Sequence, residues 1–369
     1  MIVVIGAGLI GLAIAYELGL RGANVRVIDA REPGTGASWA GAGMLAPYTE
    51  HIESSAFERF CADSLARYPA FVDGIRERGG VDARLRLDGI LEAAFDDADV
   101  LRLRSRVDAM TARGLPARWL EPEGAHRLEP ALRASLRGAA LSPSEGHVDN
   151  RRLGRALRAA CAALGVRVDA FAGPVALEAD PRRALGVRGP AGFIAASAVV
   201  NAGGAWAAEL GGVPERARVP VLPVKGQMLA LALPRGLVRR VVWVPGAYLV
   251  PRDDGRLLVG ATVERADFDV RVTARGVRTL LDAALEALPA LGDLSVAETW
   301  AGLRPGTPDE LPYLGETGLG GYYLAAGHFR NGILLAPATA HALADVIEGR
   351  PGATAALAPF SLARASRAA

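Results

Sequence analysis

Residues 2–5 form an apolar, β-branched run closed by glycine, the pattern of a strand covered on both faces. Behind the glycines, Leu12, Ile14, Ala15 and Leu18 recur at helical spacing, and a second strand is expected over 24–28, ending at Asp29. Two more short apolar runs end in glycine far from the start. Residues 198–200 lead into Asn201-Ala202-Gly203-Gly204, and 322–325 into Gly327-His328-Phe329-Arg330-Asn331-Gly332. Pro337 then opens an alanine-rich helix reaching about 347. Both returns read as strands of one parallel sheet, with tight backbone at the carboxyl ends, where open sheets bind ligands. The stretches between them differ in character. Residues 81–140 are charged and Arg-rich, with a helix near 98–112. Residues 219–263 alternate strand-like runs at 221–233, 241–244, 248–250 and 256–261 with Pro and Gly turns, and Asp253-Asp254-Gly255 is a hairpin signal. The pattern predicts an α/β chain. A Rossmann-like doubly wound domain in three pieces (1–80, 146–215 and 298–369) carries an inserted antiparallel-sheet α+β domain (81–145 and 216–297).

Two uncharged runs, 1–16 and 189–208, have the length of a signal segment and of a membrane span. The first lacks a basic leading region and a small-residue cleavage site, and Gly6, Gly8 and Gly11 interrupt it. The second is divided by Pro190, Gly192, Asn201, Gly203 and Gly204 into a short strand and a turn. No span and no export signal is read, and a cytoplasmic protein is expected.

Composition narrows the class. The 369 residues are 51% hydrophobic and 22% charged, enough for a large core and too apolar for intrinsic disorder, and the length favours two domains. With 42 basic against 40 acidic side chains there is no overall field for nucleic acid, and Arg151-Arg152, Arg182-Arg183 and Arg239-Arg240 read as solvated faces. Cys61 and Cys161 form no CxxC pair, which speaks against a disulfide scaffold or a thiolate metal site. His51, His126, His147, His328 and His341 show no metal-ligand spacing, and no GxSxG elbow occurs. Glycine is the anomaly. The chain has 44, without the period of collagen, so the backbone turns tightly or approaches something closely at many points.

The first cluster, Gly6-Ala7-Gly8-Leu9-Ile10-Gly11, follows a strand and opens a helix, and Asp29 comes after 17 intervening residues. That context is what the dinucleotide fingerprint requires. Gly6 permits the strand-to-helix turn, Gly8 lets backbone approach a pyrophosphate, Gly11 allows close packing, and Asp29 accepts from a ribose hydroxyl. Just beyond it, residues 34–44 hold Gly34, Gly36, Gly41 and Gly43 and are low in bulk, fit to run along an extended ligand with the Ser38 hydroxyl offered to a phosphate. A surface loop is the competing reading. Arg304, before Pro305 in what reads as a rigid turn near Trp300, and Arg330, inside the late glycine loop, suit bidentate recognition of a carboxylate. In a chain with 41 arginines, a surface charge competes for each of them. Tyr248 reads as a core aromatic or a pocket residue, and His328 as a residue that shapes its loop or stabilises a reduced cofactor. Lys225 is the only lysine, from which no role follows.

These blocks also run in a familiar order. Residues 5–11 with Asp29 are followed by Gly41-Ala42-Gly43-Met44-Leu45, then Leu222-Pro223-Val224-Lys225-Gly226, then Tyr248-Leu249-Val250-Pro251-Arg252. Next come residues 255–262, then Trp300-Ala301-Gly302-Leu303-Arg304-Pro305-Gly306 with Pro312-Tyr313, and lastly residues 327–337. Together, over essentially the whole chain, they resemble the FAD-dependent D-amino acid oxidase superfamily, and within it the glycine oxidases of thiamine biosynthesis.

The resemblance implies FAD as the cofactor, an FAD-binding Rossmann-like domain, and the flavin ring at the interface with a substrate domain. It implies oxidative deamination of glycine, sarcosine or small D-amino acids by hydride transfer to the flavin. The imine product then gives a 2-oxo acid and ammonia or passes to thiazole assembly, and dioxygen is reduced to hydrogen peroxide. By position, Arg304 binds the substrate carboxylate, Tyr248 contacts it or shapes the pocket, and Arg330 lies beside it. Met44 and the loop His328, Phe329, Arg330, Asn331, Gly332, Ile333 and Leu334 pack on the flavin ring. Asp29 and Ala30 meet the ribose, Gly6, Gly8, Leu9, Ile10 and Gly11 the pyrophosphate turn, Ala37, Ser38, Ala42 and Gly43 other parts of FAD, and Val175 the adenine end. Gly246 and Val263 stand where relatives carry a polar residue and a methionine, which affects pocket size. The expected partners are a small amino acid and dioxygen, with no nucleic acid, no membrane span and a homo-oligomer, dimer or tetramer. The rival readings are a dehydrogenase with another electron acceptor and a non-catalytic FAD-binding protein.

Overall fold

A computed structural model of the chain describes residues 1–50 and 55–367. The strand Ile2–Ile5 lies inside a six-stranded sheet, ordered Tyr313–Glu316, Tyr322–Ala326, Ala198–Asn201, Ile2–Ile5, Val25–Ile28 and Arg167–Asp169. All neighbours are parallel except the edge strand Tyr313–Glu316. Alternate side chains of Ile2–Ile5 point to opposite faces and both faces are covered, so Val3 and Val4 are each fully buried, in separate clusters. That is why the run is continuously apolar. The helix Leu9–Leu20 begins at Leu9, ahead of the periodic Leu12, and packs against Asn150–Ala163 and Ala336–Ile347. Eight of its twelve residues are buried around its circumference, so it shows no amphipathic stripe.

An eight-stranded sheet forms the second body, ordered Val296–Gly306, Leu222–Ala232, Arg256–Gly260, Ala247–Pro251, Val241–Val244, Ile90–Ala94, Gly138–Ser142 and Arg118–Leu120. Its core joins Leu229, Leu231, Val242, Leu249, Leu257 and Val259 to the helix Ala274–Ala287. The sheet is not purely antiparallel as expected. Val241–Val244 and Ile90–Ala94 run parallel, because they come from separate segments of the insert and no hairpin dictates their direction.

The strand Val296–Gly306 pairs with Leu222–Ala232 from Leu222↔Gly306 to Leu231↔Val296. The boundary expected at 298 therefore falls inside a strand that continues in the second sheet to Gly306. Arg304, read from sequence as part of a rigid turn, is a strand residue opposite Val224. Val296–Gly306 is a sheet edge, which accommodates Pro305.

The helices expected near 98–112 and after Pro337 are Asp97–Ala112 and Ala336–Ile347. The helix Ala56–Gly79 was not expected: Ser55 Oγ caps it at the Glu58 amide (3.1 Å), left-handed Gly80 ends it, and Pro69 inside it breaks the pattern. Two arginine doublets expected as solvated faces are built into the fold. Arg151 pairs with Glu298 (2.9 Å) over the rings of Trp39 and Trp300, and Arg240 pairs with fully buried Glu129 (3.2 Å). Among the described residues no helix is long and apolar enough to cross a membrane, and no group of His, Cys, Asp and Glu could hold a metal ion. His51 lies outside them.

Candidate active site

A cavity of about 370 Å³ opens beyond the carboxyl end of Ile2–Ile5, with walls from both large sheets. At its nucleotide end the glycines divide their tasks. Gly6 adopts φ +102°, and a Cβ there would collide with the Ala202 carbonyl oxygen. A Cβ on Gly11 would overlap the Gly6 carbonyl, so helix and strand meet only because both residues lack side chains. Gly8 lines the cavity, and the Leu9 amide behind it donates to Ser38 Oγ (2.9 Å). The helix amides and the partial positive charge of its N-terminus face the cavity here. At the strand end, the Asp29 carboxylate accepts from the amides of Ala7 (2.7 Å) and Arg31 (2.9 Å).

The floor is the loop 36–44, held from outside by long side chains. Trp300 Nε1 donates to the Ala40 carbonyl (2.9 Å), Arg252 to that of Ala42 (2.8 Å), and Asn150 Nδ2 to those of Ser38 (2.8 Å) and Trp39 (3.1 Å). A Cβ on Gly43, at φ +71°, would overlap the Val148 carbonyl, and one on Gly41 would come 2.9 Å from Ile333 Cδ1. The groove is therefore kept open by residues that cannot be larger, as a close-fitting dinucleotide requires. The facing loop, 327–335, is held by Phe329 N to the Pro305 carbonyl (2.9 Å) and by the unexpected helix, from which Tyr68 Oη and Ser64 Oγ donate to the carbonyls of Ile333 and Leu334 (both 2.6 Å). His328 Nε2 lies 3.1 Å from Thr339 Oγ1, and burial pushes the ring's pKa down to about 3. The ring is neutral and adds no charge to the cavity.

At the other end stands Arg304. Its Nη1 donates to the carbonyls of Thr262 (3.0 Å) and Lys225 (3.4 Å), and its guanidinium lies directly over Gly226, where a Cβ would come 2.6 Å from Cζ and Nη2. Tyr248 shares this wall; burial raises its hydroxyl pKa, with Arg304 opposing. Arg330 is exposed at the rim, its Cζ 5.0 Å from the Phe329 ring centroid. The cavity thus joins a glycine-walled phosphate groove to a fixed guanidinium.

A family model described as FAD dependent oxidoreductase matches residues 1–346. The chain belongs to the FAD-dependent oxidoreductase family. It is 38% identical over 371 residues to a glycine oxidase of Geobacillus kaustophilus, covering 98% of this chain and 96% of that one. The crystal structure of glycine oxidase from Geobacillus kaustophilus superposes with a TM-score of 0.92 at 37% identity, over 98% of this chain and 97% of that one. A bifunctional protein ThiO/ThiG of Synechocystis sp. is 39% identical over 352 residues, 94% of this chain and 51% of that protein. The chain spans about half the length of that bifunctional relative.

As a member of the family, the oxidoreductase takes FAD as its cofactor. Of the residues assigned to FAD from sequence, Gly8, Leu9, Ile10, Ala37 and Ser38 line the cavity, as do Ala42, Gly43 and Met44. So do His328, Phe329, Arg330, Asn331, Gly332 and Ile333, and the substrate candidates Arg304 and Tyr248. Gly6 and Gly11 sit behind the turn, and Asp29 and exposed Ala30 lie beyond it. Two more residues do not line the cavity. Leu334 is buried in the core beneath the loop, and Val175 precedes the three-stranded sheet Ala176–Ala179, Ala184–Gly189 and Gly192–Ala195, packed in the cluster that holds Ile5 and Ile28. Of the third glycine cluster, Gly204 lines the cavity and Gly203 does not.

Sequence reasoning missed Glu50, Met228 and Trp243 on this wall. Glu50 is partly buried, and that burial pushes its carboxyl up to about 7, with Arg330 and Arg304 opposing and Glu145 adding to the rise. Glu145, fully buried, fixes the turn that presents Glu50 by accepting from the amides of Tyr48 (2.6 Å) and Thr49 (3.0 Å) and from the Thr49 hydroxyl. No spacing marks either glutamate. Lys225, to which no role was given, is 2% exposed, with Nζ 3.7 Å from Glu264 and 3.9 Å from Asp269.

Proposed function

We propose that this oxidoreductase oxidises glycine and small amines such as sarcosine and small D-amino acids to the imine, with dioxygen as the electron acceptor. The observation that carries the reading is the Arg304 guanidinium, seated on Gly226 inside the cavity whose far end is the dinucleotide groove. The similarity to glycine oxidases over nearly the whole chain supports it.

In this reading Arg304 takes the substrate carboxylate in a bidentate, charge-assisted contact. The carbonyls of Thr262 and Lys225 hold the guanidinium, so little rotamer freedom is lost on binding. Tyr248 offers its protonated hydroxyl to the same carboxylate, and Arg330 adds positive charge at the rim. When bound, FAD supplies the acceptor that takes a hydride from the substrate α-carbon and passes its electrons to dioxygen. With the amine neutral, the wall needs no general base. Met44 and the loop from His328 to Ile333 exclude water on either side of the groove, and Gly246 and Val263 leave the substrate end uncrowded. The imine hydrolyses to a 2-oxo acid and ammonia or supplies thiazole assembly in thiamine biosynthesis, a place supported by the similarity to the ThiO/ThiG protein. The reading extends to a two-domain division of the chain and to a cytoplasmic homo-oligomer; its two buried free thiols, Cys61 and Cys161, suit a reducing compartment.

The test is oxygen consumption and peroxide yield with glycine under air, in the wild type and in Arg304→Ala. About one peroxide per glycine, with kcat/KM falling in the variant, supports the reading. Dye reduction by glycine without peroxide reassigns the protein as a dehydrogenase, and no reaction with any small amine leaves only an FAD-binding protein.

A further inference from the structure

Loop 36–44 has a cavity on each side. Ser38 and Ala40 line the flavin cavity, whereas Trp39 lines a second cleft of about 540 Å³, an ordinary size for a small-molecule site. One wall of this cleft is the helix Asn150–Ala163, on which Arg151, Arg155 and Arg158 recur at i, i+4 and i+7 and so share a face. Arg151 and Arg256 are neutralised by Glu298 and Asp254. Arg155 and Arg158, both exposed to the cleft, have no ion-pair or hydrogen-bond partner among the described residues.

The floor makes the charge imbalance sharper. Arg252 is 6% exposed and donates only to neutral acceptors, the carbonyls of Val148 (3.2 Å) and Ala42 (2.8 Å) and Asn150 Oδ1 (2.9 Å). No carboxylate lies at ion-pair distance among the described residues, and burial lowers its pKa to about 10. A buried guanidinium without a contacting carboxylate is costly, and an anion in the cleft would offset that cost. The acids on the wall offset it only in part. Asp149 and Asp254 favour its charge from beyond ion-pair distance, Asp149 while capping the helix through the Arg152 amide (2.9 Å) and Asp254 while paired with Arg256; Asp253 is engaged by Arg86, and Glu32 stands exposed on the wall. Beside Arg252, His147 is 2% exposed and its Nδ1 has no hydrogen-bond partner among the described residues. Burial, with Arg252 and Arg86 adding and a backbone hydrogen bond to Pro251 opposing, keeps this ring neutral, and its Nδ1 is sealed from the cleft, so the ring adds no charge there.

We propose that this cleft binds a small phosphate monoester. Arg155 and Arg158 hold the phosphate over the field of Arg252. Guanidinium groups suit phosphate, and the cleft has room for an organic part that a bare anion leaves empty. The site communicates with the flavin groove through two side chains. Arg252 lines the cleft and donates to buried Asn150 Oδ1 (2.9 Å), and the two hold the carbonyls of Ala42, Ser38 and Trp39, the backbone of the groove's floor.

The experiment uses the FAD-loaded protein with ribose 5-phosphate as the probe, at constant ionic strength, by calorimetry and by flavin fluorescence. Saturable binding with Kd of about 1 mM or tighter is expected, with the flavin signal titrating at the same Kd. Ribose alone and inorganic phosphate alone should bind more weakly. The double variant Arg155→Glu/Arg158→Glu, at exposed positions, should keep its FAD content and weaken binding at least about tenfold. Equal affinity in the double variant, or no saturation by about 10 mM in the wild type, overturns the site. Binding without a flavin signal overturns its link to the groove.

Discussion

Gly226→Ala is a mutation of one methyl that should act on catalysis and leave the fold alone. The backbone at Gly226 is outside the left-handed region, so alanine is no strain there. The added Cβ would lie 2.6 Å from Arg304 Cζ and Nη2, below the separation any real Cβ contact reaches, and the obstacle is the end of a flexible side chain. The guanidinium therefore moves, giving up the Thr262 carbonyl and its aim at the substrate carboxylate. Losing a bidentate charge-assisted contact costs about 2–4 kcal/mol, or roughly 30- to 1,000-fold in kcat/KM for glycine. FAD content and Tm should match the wild type. In an Arg304→Ala background the same change should be nearly silent, since it acts through the group already removed. Unchanged kcat/KM in Gly226→Ala, or a full additional loss in the double variant, would refute the placement of Arg304.

Three further changes probe other parts of the site. Gly11→Ala places a methyl against the Gly6 carbonyl, which cannot retreat; urea unfolding should show a loss of about 2 kcal/mol or more, and the protein should purify with less FAD. Glu50, with its carboxyl raised to about 7, is protonated below that pH and anionic above it; the anion weakens the pull of Arg304 and Arg330, so KM for glycine should rise through pH 7 and lose that inflection in Glu50→Gln. Glu264 accepts from Gln227 Nε2 (2.7 Å) and Thr262 Oγ1 (2.5 Å), fixing the segment whose carbonyl holds Arg304; Glu264→Gln should raise KM several-fold, kcat falling less.

What could be read from sequence was a local pattern. The opening turn was legible because its glycines keep a fixed spacing between a strand and a helix, and Gly11 answers the Gly6 carbonyl five residues before it. The distant groups that the glycines meet, Ala202 at Gly6, Val148 at Gly43 and Ile333 at Gly41, came only with the fold. Long-range placements were not legible. Arg304 looked like a turn residue because Pro305 follows it, and only the pairing with Leu222–Ala232 reveals an edge strand that tolerates proline. The helix Ala56–Gly79 was hidden by Pro69, although it holds the loop over the groove. Glu50 and Glu145 carry no motif, since their chemistry arises from burial that no spacing records. The doublet Arg151-Arg152 read as solvated, yet both line a cleft once Arg252 and the hairpin at 253–255 are folded against them, and Arg155 and Arg158, to which no reading was given, line it too.

The central claim is that bound FAD accepts electrons from a small amino acid held by Arg304. It is tested most directly by the visible spectrum of the purified protein before and after anaerobic addition of glycine. The oxidised flavin bands should bleach with glycine and return when air is admitted, and in Arg304→Ala the bleaching should need far more glycine. A flavin that stays oxidised with glycine, sarcosine and small D-amino acids alike, or that bleaches equally well without Arg304, would contradict the account.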